Sequence, residues 1–151
     1  MPTRRRVDGF TVCETLHEGG MAVLYRVERH PDDPPMIMKV PRLREGEDPA
    51  AIVSFEMEQM IMPRLSGPHV PRLIAQGGFE AQPYIVMERI AGPALSSRLR
   101  DMPLPAEEVA AIGAAIADAL DALHHQHVVH LDVKPANILF RESGEAVMID
   151  Y

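Results

Sequence analysis

Four short runs in this sequence combine residue types that can do chemistry, and their mutual spacing carries more weight than any one of them. The densest is His130-Leu131-Asp132-Val133-Lys134-Pro135-Ala136-Asn137. Asp132 can accept a proton from a hydroxyl. Lys134, two residues on, can neutralise charge on a phosphoryl group in transit, and Asn137, five after the aspartate, offers a carboxamide oxygen to a hard cation. A random surface loop rarely assembles that set. In Met148-Ile149-Asp150 an apolar run ends in a carboxylate that can bind Mg²⁺ bridging nucleotide phosphates; alone, Asp150 reads better as a turn or cap. Lys39 stands between Met38 and Val40 in an apolar run. It is either a solvent-facing edge lysine or a buried one needing an anionic partner, for which Glu58 is the candidate. Last, Leu16-His17-Glu18-Gly19-Gly20-Met21-Ala22-Val23-Leu24 places side-chain-poor backbone where N–H groups can approach phosphate oxygens. By itself that run is an ordinary two-glycine hairpin turn.

The elements that must position these residues follow from pattern. Runs 10–17 and 22–29 are rich in Val, Leu, Thr and Tyr around Glu18-Gly19-Gly20, a hairpin signal. Pro34-Pro35 breaks the chain before a third strand, 36–40. Residues 50–65 set Ile52, Phe55 and Met62 at helical spacing, with Pro63 kinking or stopping that helix. Strands are expected at 72–76 and 84–88. Pro105-Ala106-Glu107-Glu108 opens a long amphipathic helix over 105–126, its apolar face formed by Ile112, Ile116, Leu120 and Leu123. Val128-Val129 and 146–149 read as short strands flanking the polar loop. A strand-rich half followed by a helical half makes the fold class α+β.

Composition narrows the function further. With 46% hydrophobic and 25% charged residues, the 151-residue chain suits a soluble globular protein. No apolar run approaches the roughly 20 residues of a membrane-spanning helix, so no membrane segment is expected. A net charge of −7 argues against nucleic acid as partner, and Arg4, Arg5 and Arg6 read as a solvated tail. The single cysteine, Cys13, excludes an internal disulfide, fits a reducing cytoplasm and reads as a small buried strand residue.

With these residues in register, the sequence resembles the protein kinase superfamily, specifically its bacterial-type serine/threonine branch, from about Phe10 to Tyr151. The run 16–24 resembles the glycine-rich loop over ATP, with Leu16, Gly19, Gly20 and Leu24 at its positions. Met36-to-Lys39 resembles V-A-I-K, and Glu58 the helix glutamate that pairs with its lysine. Met87-Glu88-Arg89-Ile90 resembles the hinge, where the resemblance implies Met87 as gatekeeper and backbone of Glu88 and Ile90 on adenine. His130 to Asn137 is similar to H-R-D-L-K-x-x-N, and Ile149-Asp150-Tyr151 to the start of D-F-G. The separations agree: Lys39 is 15 residues after Leu24, Glu58 is 19 after Lys39, and Asp150 is 18 after Asp132. The resemblance implies a lobe with a five-stranded antiparallel sheet and one helix over 10–90, after a tail at 1–9. The first helices and the catalytic loop of a second lobe would lie over 91–151. It implies Mg²⁺-dependent transfer from ATP to Ser/Thr hydroxyls of proteins, with Asp132 and Lys134 catalytic. Asn137 and Asp150 would hold metal, and Leu16, Gly19, Gly20, Leu24, Lys39, Glu58, Met87, Glu88 and Ile90 would hold ATP. A cytoplasmic location is expected.

The sequence also departs from that pattern. His17 and Ala22 replace two glycines, making the phosphate loop stiffer and more crowded. Leu131 replaces an arginine that pairs with a phosphorylated activation loop, and leucine cannot bind phosphate. The family pattern continues well past Tyr151, so the piece reads as truncated and is expected not to phosphorylate proteins by itself. A nucleotide-binding pseudokinase scaffold is the alternative. A small-molecule kinase shares H-x-D-x-x-x-x-N but is disfavoured by Lys134 and its context. A metal site built from His124, His125, His127 and His130 lacks a completing carboxylate or cysteine.

Overall fold

A computed structural model describes residues 4–43 and 49–151, and the chain falls into two compact units. The first takes the chain up to Gln59 together with Arg72–Arg89; the second takes Met60–Pro71 and Ile90–Tyr151. The stretch 60–71 thus groups with the second unit.

The first unit is built on strands β1 (Arg6–Val7), β2 (Phe10–Glu18), β3 (Ala22–Glu28), β4 (Met36–Pro41), β5 (Leu73–Gly77) and β6 (Tyr84–Glu88). They form one antiparallel sheet in the order β1-β2-β3-β4-β6-β5. The sheet has six strands where five were expected, because Arg6 and Val7 are not tail. Asp8 (φ 47°) and Gly9 (φ 87°) make a two-residue turn that sets Val7 opposite Phe10, the local chemistry of a tight hairpin. Phe10, Val27, Met36, Met38, Tyr84 and Val86 are buried together on one face. Helix α1 (Pro49–Ile61) buries Ala51, Phe55 and Glu58, at spacings of four and three residues. Ile52, expected on the buried stripe, is 38% exposed, because that stripe lies one residue over, on the face that carries Glu58. Pro63 ends the helix in a 3₁₀ turn, Met62–Arg64.

In the second unit, α2 (Ala106–His125) lays Ala119 and Leu123, both fully buried, against Val70, Leu95, Ile138, Ala146 and Met148. Ile112, Ile116 and Leu120 flank this core half-buried. A short 3₁₀ helix, Leu95–Asp101, precedes α2. Strands β7 (Ile138–Phe140) and β8 (Ala146–Met148) form a hairpin closed by Arg141 N–H on Glu145 O at 3.0 Å, with Gly144 at φ 98°. Val128-Val129 is not a strand as expected, for the Val128 N–H donates to Leu123 O at 3.1 Å and finishes α2. Segment 66–71 is laced to this hairpin: Met148 N–H donates to His69 O at 2.9 Å, and Arg141 Nε to Pro68 O at 2.7 Å. Among the described residues no helix is long and apolar enough to cross a membrane.

The buried Tyr84 hydroxyl donates to Asp8 Oδ2 at 2.8 Å, and burial together with that hydrogen bond pushes its pKa up to about 12. Raised above the unfolded value of about 10, this pKa adds stability that is full below pH ~10 and lost as pH rises toward 12. An ultraviolet-absorbance titration should show a tyrosine step near pH 12 that is lost in Tyr84→Phe. Asp8→Asn should bring that step down.

Candidate active site

Strand alternation decides where Lys39 goes. Met36 and Met38 face the sheet's apolar core, so Lys39 points to the opposite face. There its Nζ lies 2.6 Å from Glu58 Oε2, with side chains only 14% and 5% exposed. A charge so far from water is tolerable only with a partner in good geometry. Leu24 of β3 sits directly across the ladder from Lys39, and His17 across from Leu24. Leu16 and Leu24 are half-buried, while Gly20 lies open at the hairpin tip. Gly19 donates its N–H to Ala22 O at 2.9 Å, and a Cβ there would come within 3.2 Å of that oxygen. The backbone can be approached closely at this tip. Met87 is buried in β6. The Glu88 N–H donates to Arg72 O at 2.9 Å. Ile90 falls in the second unit.

The loop 130–137 lies wholly in the second unit and is organised by two buried polar side chains. His130 is 4% exposed. Asp132 N–H donates to its Nδ1 at 3.2 Å, so Nδ1 is the acceptor and Nε2–H donates to Ile149 O at 2.6 Å. Both ring nitrogens are committed. Asn137 is 3% exposed, and its amide nitrogen donates to Asp132 O at 3.0 Å and Oδ2 at 3.2 Å. Lys134 Nζ lies 3.4 Å from the same Oδ2. That pair is more than half exposed, so it orients charge rather than stabilising the fold. Ile149 N–H donates to Asn137 O at 3.1 Å, tying the start of the 149–151 stretch to the loop. Leu131 (φ 69°) and Asp150 (φ 58°) take left-handed backbone, and strain of that kind persists where surrounding contacts fix it. Tyr151 closes the arrangement, its ring 5.0 Å from His130 and its hydroxyl donating to Met148 O at 2.7 Å.

Chemically, this arrangement presents an exposed carboxylate, Asp132, oriented by an amide and faced by an ammonium. The amide nitrogen of Asn137 is spent on Asp132, which leaves its oxygen for a cation. That amide oxygen and the exposed Asp150 carboxylate are each hard donors of the kind that a divalent ion such as Mg²⁺ takes. Among the described residues no three His, Cys, Asp or Glu side chains cluster to hold a metal, and His125 Nδ1–H is donated to Asp121 O at 2.9 Å. Cys13 is half-buried rather than buried, its thiol 3.5 Å from Thr11 O; burial raises its pKa and keeps it protonated. Gln59 has no signature in the sequence, because a glutamine on a helix carries no motif. Strand β7 was likewise not expected from the sequence.

A model of the protein kinase domain family matches residues 10–151. A probable serine/threonine-protein kinase PknB from Lactococcus lactis subsp. lactis is 33% identical over 146 residues, 95% of this chain and 23% of that protein. Serine/threonine-protein kinase PknF from Mycobacterium tuberculosis is 37% identical over 135 residues, 87% of this chain and 28% of that protein. The chain thus spans about a quarter of the length of these curated relatives. The crystal structure of the Mycobacterium tuberculosis PknI kinase domain superposes with a TM-score of 0.76 at 29% identity, over 100% of this chain and 62% of that one.

Glu58→Ala should cost about 3 kcal/mol in denaturant unfolding, because it strips a buried charge of its counter-ion. Lys39→Met combined with Glu58→Leu should cost much less than Glu58→Ala alone. Equal losses would mean the pair is not effectively buried.

Proposed function

We propose that this chain, which belongs to the protein kinase domain family, binds Mg²⁺-ATP and carries residues that transfer its γ-phosphoryl group to serine or threonine hydroxyls of proteins. One observation carries the reading: the Asp132 carboxylate is aimed by the buried Asn137 amide with Lys134 3.4 Å away.

In this reading the acceptor hydroxyl oxygen attacks the γ-phosphorus as the bond to the ADP oxygen breaks. The hydroxyl proton passes to Asp132, a contribution typically worth ~10²–10⁴-fold. Lys134 offsets charge gathering on the γ-phosphoryl oxygens. Lys39, held by Glu58, takes the α- and β-phosphates, and the backbone of Gly19 and Gly20 covers them. Leu16, Leu24 and Met87 enclose adenine, with backbone of Glu88 and Ile90 on its polar edge. Asn137 and Asp150 would hold Mg²⁺, which would supply positive charge to offset that of the phosphates. Support for a serine or threonine acceptor comes from Lys134, two residues after Asp132, and from similarity to relatives that are serine/threonine kinases. The substrate is then a protein, and the setting the cytoplasm, where ATP is supplied.

Calorimetry should detect ATP binding by the chain that needs Mg²⁺ and is lost in Lys39→Met. No Mg²⁺-dependent binding would overturn the reading. Transfer is read in a chimera in which Phe10–Tyr151 replaces the matching segment of a relative's kinase domain. There Asp132→Asn should lower phosphate incorporation at least ~100-fold with ATP affinity unchanged. A wild-type chimera that binds ATP and transfers nothing would point instead to a nucleotide-binding scaffold, a role the crowded turn at His17 and Ala22 favours.

A further inference from the structure

Glu58 can hold Lys39 only while α1 keeps its place on the sheet, and the residue next to it carries a contact that fixes that place. Gln59 Nε2 donates to Gly77 O at 2.7 Å and lies 3.4 Å from Tyr84 O. Gly77 and Tyr84 are the paired residues that close the β5–β6 hairpin at its loop end. One amide nitrogen, with two hydrogens to give, thus faces both carbonyls of the closing pair. Four residues earlier on the helix, Phe55 packs edge-on against Phe79 in the hairpin's loop, centroids 6.2 Å apart. Phe79 is 38% exposed, so this second contact is the looser of the two.

The hairpin end is itself a fixed point. Tyr84 is 4% exposed, its ring stacks edge-on with Phe10 at 6.3 Å, and its hydroxyl reaches Asp8 in the β1–β2 turn. Its ring covers Gly77 so closely that a Cβ there would lie 2.4 Å from ring Cε1. A continuous run of contacts therefore leads from the β1–β2 turn through Tyr84 and Gln59 to α1, and from Glu58 to Lys39.

We infer that Gln59 is a positioning residue: by clamping the closing pair of the β5–β6 hairpin it holds α1 where Glu58 reaches Lys39. An aromatic edge contact alone tolerates rotation and sliding of the helix, whereas a two-carbonyl clamp does not. The link to nucleotide rests on the phosphate role proposed for Lys39; the clamp itself does not.

The test uses the full chain with Gln59→Leu, which keeps similar bulk and removes the donor, and Gln59→Glu, which sets acceptor oxygens against the two carbonyls. Hydrogen exchange of the α1 amides should speed up about fivefold in Gln59→Leu, the worth of one net hydrogen bond, and at least as much in Gln59→Glu. Acylation of Lys39 by a small amine-reactive ester, read by peptide mass spectrometry, should rise in parallel as Glu58 leaves it. Unchanged α1 exchange would overturn the clamp. Faster exchange with unchanged Lys39 acylation would overturn its action through Glu58. Mg²⁺-ATP affinity separates the two readings. A wild-type chain that binds no ATP fails the kinase reading while exchange and acylation still judge the clamp. If ATP binds, Gln59→Leu should weaken it several-fold, and unchanged affinity would overturn the clamp's bearing on nucleotide.

Discussion

The buried ion pair between Lys39 and Glu58 is the constraint on which the first unit turns. Removing two charges from water costs several kcal/mol each before any attraction is counted. Their separation of 2.6 Å, with both side chains largely out of solvent, therefore demands a helix and a strand held in fixed register by other forces. The sheet supplies one side: Met36, Met38, Tyr84 and Val86 bury the opposite face of the same strands and fix which way Lys39 points. The helix supplies the other through Ala51 and Phe55, whose spacing leaves Glu58 on the buried stripe. An ion pair of this kind adds little net stability over an apolar pair of the same shape. What it provides is an ammonium at one defined place, which suits the proposed contact with phosphate.

The second unit meets a similar demand with neutral groups. The loop around Asp132 has little regular structure, so its backbone must find partners elsewhere. His130 and Asn137 provide them, taking the Asp132 N–H, the Asp132 carbonyl and the Ile149 carbonyl. The left-handed turns at Leu131 and Asp150 would be unfavourable in an isolated peptide. Here the hydrogen bonds on either side of each residue hold them. The core formed by Leu123, Ile138 and Met148 sits beneath this arrangement and keeps its ends from drifting.

Much of this was legible in the residues. Apolar alternation located most strands to within a residue or two, and Pro63 stopped α1 where expected. The partnership of Lys39 and Glu58 was readable because a lysine inside an apolar strand raises an electrostatic question with few available answers. The six-stranded sheet was missed although Asp8-Gly9 is a strong hairpin signal, because two flanking residues are too short a run to show alternation. The strand assigned to Val128-Val129 failed for a different reason. Two β-branched residues favour a strand, but the helix end captured the Val128 N–H on Leu123 O, which also accepts from Gln126. Gln59 illustrates what a single sequence hides: its partners are backbone carbonyls, which leave no trace in residue type.

Among the described residues the buried polar or charged side chains are Glu58 in the first unit and His130 and Asn137 in the second. None is proposed to transfer anything. Each spends its hydrogen-bonding capacity on another residue: Glu58 on Lys39, His130 on the backbone beside Asp132 and Asp150, Asn137 on Asp132. Asp132, Lys134 and Asp150, proposed to meet phosphate, metal or hydroxyl, are exposed. Lys39, also proposed to meet phosphate, departs from this division, since its side chain is only 14% exposed and is held by Glu58. For the other residues the division has a physical basis. A group that must meet a charged ligand gains from staying solvated until the ligand arrives, while a group that must hold a fixed position gains from a dry environment in which each unmade hydrogen bond is costly. Asn137 joins the two regimes, since its amide nitrogen is committed inward and its oxygen is the atom proposed to meet a cation.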